Sequence, residues 1–471
     1  MDKPISETKS NSTNLKNSKF EKNLAEGSVV KQLILFSIPF LLSNLIQSIY
    51  NVADMIIVGN FSGKISLSGV NIGGQITFVM TNFIVGLCTG GTVMIAQYSG
   101  AKQKSSVQET ISTLFTTLAV AAVAITAIML IFLDPILVAI KTPPDAYSEA
   151  KSYLLITACG TIFIFAYNAL SSVMRGLGDS KTPLKFVGIA CVVNIVLDLL
   201  LVGGFDMKAQ GAAIATVIAQ AISVVLCVVY LTKNKFIFDF KLKSFRFHGE
   251  KLKRLMTLGI PAAVQNVIVG MSFIFLTAIV NDTGGVDASA AVGVVGKFNG
   301  FAIMPAMAIS MSISAMSAQN IGARKLDRAV KTMKIGMLMA ISVSVVIFVL
   351  AQLFPEQILK LFNDDPAMIK NGIEYIRTFS FDYLVVPFVF SLNGLFIGAG
   401  CTGFSLFSSI LSSLGLRIPC VFLFGMTLGL GLTGIGAAAP IASLGALICC
   451  IVFYLTKKWT RNLNVETEIL D

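Results

Sequence analysis

Long apolar runs dominate the sequence and recur between short polar loops. We count twelve, and each is long enough for the ~20 residues that a helix needs to cross a bilayer. They lie near 33–58, 70–97, 109–133, 152–172, 184–203, 210–231, 255–281, 289–319, 332–354, 378–399, 404–428 and 433–456. Only 13% of the 471 residues are charged, whereas a soluble surface needs roughly a quarter. The sequence therefore predicts an all-α polytopic membrane protein with twelve transmembrane helices. The expected partner of this protein is the lipid bilayer around it.

The basic residues predict the orientation of these helices. The chain carries 36 Lys and Arg against 25 Asp and Glu, a net charge of +11. With a cytoplasmic N-terminus, 27 of the 36 fall in loops and tails on the cytoplasmic side and seven on the other. This bias follows the positive-inside rule. We therefore expect both termini in the cytoplasm, and we expect no nucleic-acid partner.

A charged segment, 232–254, divides the chain near its middle and prompts a search for a repeat. At an offset of 222 residues, similar positions align without a gap over about 140 residues. The aligned pairs are Pro39 with Pro261, Asn44 with Asn266, Gln97-x-x-Gly100-Ala101 with Gln319-x-x-Gly322-Ala323, and Gly176 and Gly178 with Gly398 and Gly400. We predict a polar cytoplasmic tail (1–30), an N-lobe (31–231), the cytoplasmic linker (232–254), a C-lobe (255–457) and a second tail (458–471).

The even number of spans in each copy fixes how the lobes are related. Six spans return the chain to its starting side, so both copies share one orientation and are related by a pseudo-two-fold axis along the membrane normal. Paired lobes of this kind are typical of secondary transporters that open alternately to each side.

Polar residues inside the spans are the candidate functional residues, since an ionisable one costs ~2.5–3.5 kcal/mol to insert. Asp54 in the first span shares one helical face with Asn44, Gln47 and Asn51. Such a stripe predicts a water-filled cavity or an ion path; the alternative is hydrogen bonding between helices.

The fifth and sixth spans add polar residues at a similar predicted depth. Asn194 and Asp198 lie one turn apart in the fifth span, and Thr216 lies in the sixth. With Asp54 they predict a cluster in the outer half of the N-lobe. Two carboxylates with amide and hydroxyl oxygens suit a bound Na⁺, in which case Asp54 and Asp198 are its ligands. They equally suit a shared proton, because burial and like charge favour protonation.

The C-lobe shows no matching acids. The repeat places Leu276 opposite Asp54 and Cys420 opposite Asp198, while Asp382 falls near the start of the tenth run. Methionines and phenylalanines in the seventh and eighth spans, among them Met271 and Met304, could line a cavity for varied amphipathic compounds. Ordinary packing is the alternative.

Three motifs resemble those of the multidrug and toxic compound extrusion (MATE) transporters: YNVAD (50–54), AQYSGA (96–101) and MRGLGDSKTP (174–183). The resemblance runs from about 31 to 457 and implies cation-coupled export of organic, commonly cationic or amphipathic, compounds. It is greater to the branch with an N-lobe coupling site, which implies an ion-coupling role for Asp54, Asn194, Asp198 and Thr216. Similarity also makes Gln47 and Asn168 candidates for the substrate cavity, as the stripe does for Asn51.

The leading hypothesis is therefore an H⁺- or Na⁺-driven antiporter of small organic substrates in the bacterial cytoplasmic membrane. We expect the protein to be a monomer and not an enzyme. We also expect it to need no cofactor beyond its coupling ion. A flippase for a lipid-linked precursor, from the same superfamily, is one alternative. An intramembrane enzyme and a channel are others, although a two-lobed repeat favours alternating access.

Overall fold

The computed structural model describes residues 20–362 and 364–460, and these residues form helices joined by short turns. The first six spans are α1 and α2, which share the helix Val29–Gly100, α3 (Lys104–Ala139), α4 (Pro144–Cys159 and Thr161–Gly176), α5 (Lys181–Gly204) and α6 (Lys208–Lys233). The next six are α7 and α8, which share Gly249–Gly322, α9 (Leu326–Leu353), α10 (Pro366–Phe379 and Asp382–Gly398), α11 (Thr402–Thr427) and α12 (Gly431–Leu455). The fold is therefore the predicted one, with twelve spans in two lobes.

Two glycines divide the longest helices into hairpins. A straight helix of the 72 residues Val29–Gly100 would be about 108 Å long, more than three times a ~30 Å bilayer core. The chain reverses at Gly63, whose φ is 77°, and 222 residues later at Gly285, whose φ is 66°. Glycine suits both turns because it reaches positive φ without strain from a Cβ atom.

The same offset relates other backbone features. Positive φ values occur at Lys102 (60°) and Arg324 (59°), the turns before α3 and α9. The fourth span of each lobe is bent, by 51° in α4 and by 46° in α10. The repeat read from the sequence is thus a repeat of backbone conformation.

The bent spans correct two predicted boundaries. The runs at 152–172 and 378–399 begin about eight and twelve residues after the helices do, at Pro144 and Pro366. Charged residues in the first halves, including Glu374 and Arg377, hid these turns from a hydropathy reading. Asp382 consequently lies at the bend of α10 and is buried, whereas the sequence placed it near the start of a span.

The lobes contact each other from one end of the bundle, which we call the linker end because residues 234–248 lie there, as far as Asn82 of α2. The main-chain oxygen of Asn82 accepts a hydrogen bond from the Asn266 side chain of α7 at 3.1 Å. Leu33 and Phe36 of α1 pack into the core of the C-lobe. Their repeat equivalents, Leu255 and Leu258 of α7, pack into the core of the N-lobe. Each first helix therefore begins against the opposite lobe.

A short segment before α1, 20–28, packs between the lobes, although it belongs to the polar tail proposed from the sequence. Phe20 is 1% exposed and packs edge-on against Tyr230 of the N-lobe. Leu24 belongs to the core of the C-lobe. Arg328 in α9 donates hydrogen bonds to the main-chain oxygens of Leu24, Glu26 and Gly27. The segment thus contacts both lobes at the linker end.

Candidate functional site

Four side chains from α1, α5 and α6 converge inside the N-lobe, and they are the four that the sequence singled out. Asp54, Asn194 and Asp198 are buried, with Asp198 fully inaccessible, and Thr216 is half-buried. The Asn194 amide donates to the Thr216 hydroxyl at 3.5 Å, which joins α5 to α6. The Asp54 carboxyl lies within interaction range of the Asp198 carboxyl and the Thr216 hydroxyl, which joins α1 to both.

The cluster is rich in acceptors and poor in donors. Among the described residues, no donor bonds to Oδ1 of Asp54, to either carboxylate oxygen of Asp198 or to Oδ1 of Asn194. One turn beyond Thr216, Oε1 of Gln220 is in the same condition. Buried acceptors without partners cost free energy, and two facing carboxylates also repel each other. A cation is the species that satisfies both demands, whether a shared proton or a Na⁺ held by oxygen atoms.

Asp54 lies further from the end of its helix than the sequence placed it. Asp54 was expected four or five residues from the end of its apolar run, but α1 continues to the turn at Gly63, nine residues further on. At 1.5 Å per residue that is about 13 Å of helix. The polar residues Asn60 and Ser62 lie in this last stretch and ended the run early.

Two buried tyrosines beside the cluster were missed. Tyr50 of α1 and Tyr153 of α4 both lie close enough to Asp54 to interact electrostatically with it. Tyr153 also packs where Gly73 of α2 leaves room for its ring. Tyr50 is one turn before Asp54, a spacing that could have indicated it, whereas Tyr153 lies on a different span, and spacing along the sequence could not relate it to Asp54.

The proposed substrate residues occupy several different surroundings. Gln47 is half-buried on the face of Asp54 and lies beside Tyr50, whereas Asn51 is exposed at the edge of the stripe. Asn168 is half-buried and donates to the main-chain oxygen of Ile164 at 2.8 Å. Met271 (47% exposed) and Met304 (half-buried) lie in the other lobe, on α7 and α8. The structure therefore brings Gln47 towards the cluster and leaves the two methionines apart from it.

The matching positions of the C-lobe are apolar. Leu276 is 6% exposed in a hydrophobic core, and Cys420 packs against the same core. Asp382 is buried elsewhere in this lobe and interacts electrostatically with Arg417. The acidic pair therefore belongs to the N-lobe, as the sequence indicated.

A protein-family model, MatE, matches the chain twice, at residues 39–200 and again at 261–423. The two matches begin 222 residues apart, the offset of the internal repeat, and together they cover more than half of the chain. The chain belongs to the MatE family. This agrees with the resemblance seen in its motifs.

Relatives match the MatE chain over nearly its whole length. The Bacillus subtilis protein YpnP, named a probable multidrug resistance protein, is 29% identical over 95% of this chain and 99% of its own. The Staphylococcus aureus multidrug export protein MepA is 23% identical over 96% and 98%.

Solved structures share the fold. One, described as the outward-facing conformation of a multidrug resistance MATE transporter of the MOP superfamily, has a TM-score of 0.87 at 22% identity, covering 92% of this chain and 97% of that one. A MOP superfamily transporter from Pyrococcus furiosus, described as having a binding pocket of reverse polarity, has a TM-score of 0.85 at 21% identity, with 94% and 97% covered. The chain is thus a multi-pass membrane protein of the MATE fold.

Proposed function

We propose that the protein is a secondary antiporter that couples entry of H⁺ or Na⁺ to export of organic, cationic or amphipathic, compounds. Relatives named as multidrug resistance and export proteins support the export of such compounds. The observation that carries ion coupling is the pair Asp54 and Asp198 inside the N-lobe, in which Oδ1 of Asp54 and both carboxylate oxygens of Asp198 have no donor among the described residues. A membrane protein keeps two such carboxylates at a cost of several kcal/mol, which a role in ion movement explains.

The coupling would work through competition for the N-lobe. Binding of the ion removes the repulsion between Asp54 and Asp198 and lets α1, α5 and α6 pack more closely around Thr216. Substrate that enters from the cytoplasmic side favours the arrangement without the ion. A ligand shifts a conformational equilibrium only by its differential affinity for the two states. Here the ion would bind one arrangement of the N-lobe more tightly, and the substrate would bind the other more tightly.

The same cluster supports the branch with an N-lobe coupling site, since its four members are the residues for which the resemblance implied ion coupling. The apolar surroundings of Leu276 and Cys420 argue against a second, equivalent site in the C-lobe. We place both termini and the linker end in the cytoplasm of a bacterial cell, because most of the Lys and Arg residues lie in the loops and tails on that side.

No observation favours the alternatives. A flippase for a lipid-linked precursor finds no support in the names of the relatives, and the paired acids lie inside a lobe instead of facing a lipid headgroup. A channel is not favoured either, because the two-lobed repeat is typical of transporters that open alternately to each side.

The test is gradient-driven transport by the purified protein in proteoliposomes loaded with ethidium. Na⁺ and pH gradients are imposed separately, and dye fluorescence is followed over time. We expect uphill efflux with at least one gradient and none without. Efflux that only ever runs down the dye's own gradient would identify a channel and refute the proposal.

A further inference from the structure

The linker between the lobes, 234–248, is folded onto the N-lobe by hydrogen bonds to α3. Gln108 donates to the main-chain oxygen of Ile237 at 2.8 Å. Ser112 donates to the main-chain oxygen of Ser244 at 2.6 Å and accepts from the amide of Arg246 at 2.9 Å. These bonds hold the linker against the first turns of α3. The linker is therefore a fixed part of the N-lobe surface.

Three phenylalanines of the linker also pack against α3. Phe238 meets Phe115 of α3 edge-on, with ring centroids 5.5 Å apart. Phe240 and Phe245 lie 5.9 and 6.2 Å from the same ring. Aromatic clusters of this geometry are typical of stable cores.

The cluster forms one wall of an apolar pocket of about 160 Å³. All of its lining side chains are apolar and come from α3, α4, α6 and the linker, among them Leu118, Phe165, Ala169, Val224, Phe240 and Phe245. Two further lining residues, Ala119 of α3 and Ile162 of α4, are exposed on the outside of the bundle. The pocket therefore opens on a surface that the bilayer covers, in the half of the membrane nearer the linker end.

The stretch 239–247 of the linker, a turn anchored by Phe240 and Phe245, carries exposed apolar residues beside exposed cations. Leu242 is 92% exposed and Phe247 is 50% exposed, which suits insertion among lipid headgroups better than immersion in water. Lys243 and Arg246 are exposed in the same turn. Phe245 lies only two residues from Lys243, at most about 7 Å of chain.

The one acid of the turn does not cancel these charges. Asp239 faces Lys241 at 3.6 Å and accepts a hydrogen bond from Ser244. That hydrogen bond holds the pKa of Asp239 below its usual value, so it stays ionised and keeps its partner. Lys243 and Arg246 remain as a cationic surface at the rim of the pocket.

We propose that this site binds an anionic phospholipid from the leaflet at the linker end. One acyl chain occupies the pocket between α3, α4 and α6, and the phosphate lies against Lys243 and Arg246. Basic sites beside membrane helices on the cytoplasmic side are a recurrent way to recognise such headgroups. The lipid would bridge the linker to the N-lobe, and the inference does not depend on what the protein transports.

Native mass spectrometry of the full-length protein tests the site, with equimolar phosphatidylglycerol and phosphatidylethanolamine of identical acyl chains. We expect the wild type to retain phosphatidylglycerol preferentially. The double variant Lys243→Ala/Arg246→Ala should lose about 25-fold in that preference, at about five-fold per cation. A matched variant at the other end, Lys64→Ala/Lys141→Ala, should behave as wild type.

A second variant tests the pocket itself. Val224→Trp places a large ring in the acyl site and should reduce retention of both lipids while the cations remain. Equal retention of the two lipids by the wild type would overturn the proposal. An unchanged preference in the charge variant, whose substitutions are exposed and compatible with folding, would do the same. Unchanged retention in Val224→Trp would overturn the assignment of the acyl chain to the pocket.

Discussion

Gly322 lies directly against the main-chain carbonyl of Gln97, on the opposite side of the boundary between the lobes. The repeat makes this contact reciprocal, because Gly100 lies in the same way against the carbonyl of Gln319. The glutamine side chains extend the contact: Gln97 donates to the main-chain oxygen of Gly398 at 3.0 Å, and Gln319 to that of Lys22 at 3.1 Å. The duplicated Gln-x-x-Gly-Ala motif therefore forms the contact between the lobes at the linker end.

A methyl group at this boundary should separate the lobes. We predict that Gly322→Ala destabilises the observed arrangement by about 1–3 kcal/mol, since the new Cβ meets backbone atoms that cannot turn away. The measurement is the melting temperature in detergent. Gly296→Ala, in the same helix but with nothing within 4 Å, is the control and should melt at or slightly above the wild-type temperature. Equal melting temperatures for wild type and Gly322→Ala would contradict the contact.

Arg328 should contribute strongly to holding the segment 20–28 against the lobes. Arg328 bonds to three of its main-chain oxygens, and we predict that Arg328→Ala speeds amide hydrogen exchange in residues 20–28 by at least ten-fold, the loss of about 1.4 kcal/mol. Lys331→Ala, an exposed cation in the same helix, should leave the exchange unchanged. Protection that survives Arg328→Ala would show that other contacts hold the segment.

The two lobes should differ in their tolerance of an acid. Leu276 is the repeat equivalent of Asp54 but lies in a hydrophobic core. Leu276→Asp should therefore lower the yield of monodisperse protein severely, since an unpaired buried carboxylate costs several kcal/mol. Leu276→Met should be nearly neutral. Normal yield of Leu276→Asp would mean that the C-lobe offers an acid a partner.

Much of the fold followed from the sequence because each step used a strong periodic signal. The apolar runs, the 222-residue offset and the stripe ending at Asp54 all survive in the structure, and the predicted depth of each residue in its span sufficed to group Asp54 with Asp198. What escaped were contacts that depend on tertiary packing. Phe20 looks like part of a polar tail, and Phe238 like part of a charged linker, until the surfaces that they cover are in place.

Ion binding should be visible as stability. An ion that binds the folded N-lobe better than the unfolded chain raises the stability with concentration, by about 2.7 kcal/mol at 100 times its dissociation constant. We predict that either Na⁺ or protons raise the melting temperature of the wild type, and that Asp198→Asn removes most of this response. A response of the same size in Asp198→Asn would exclude the carboxylate pair as the binding site.

The most direct measurement is gradient-driven efflux by Asp54→Asn in proteoliposomes, beside the wild type and Asp382→Asn. Asn keeps the size of the side chain and removes its charge, so circular dichroism and elution volume should match the wild type. We predict that Asp54→Asn abolishes uphill efflux, whereas Asp382→Asn, a buried acid of the other lobe, retains it. Uphill efflux at the wild-type rate by folded Asp54→Asn would contradict ion coupling through the N-lobe.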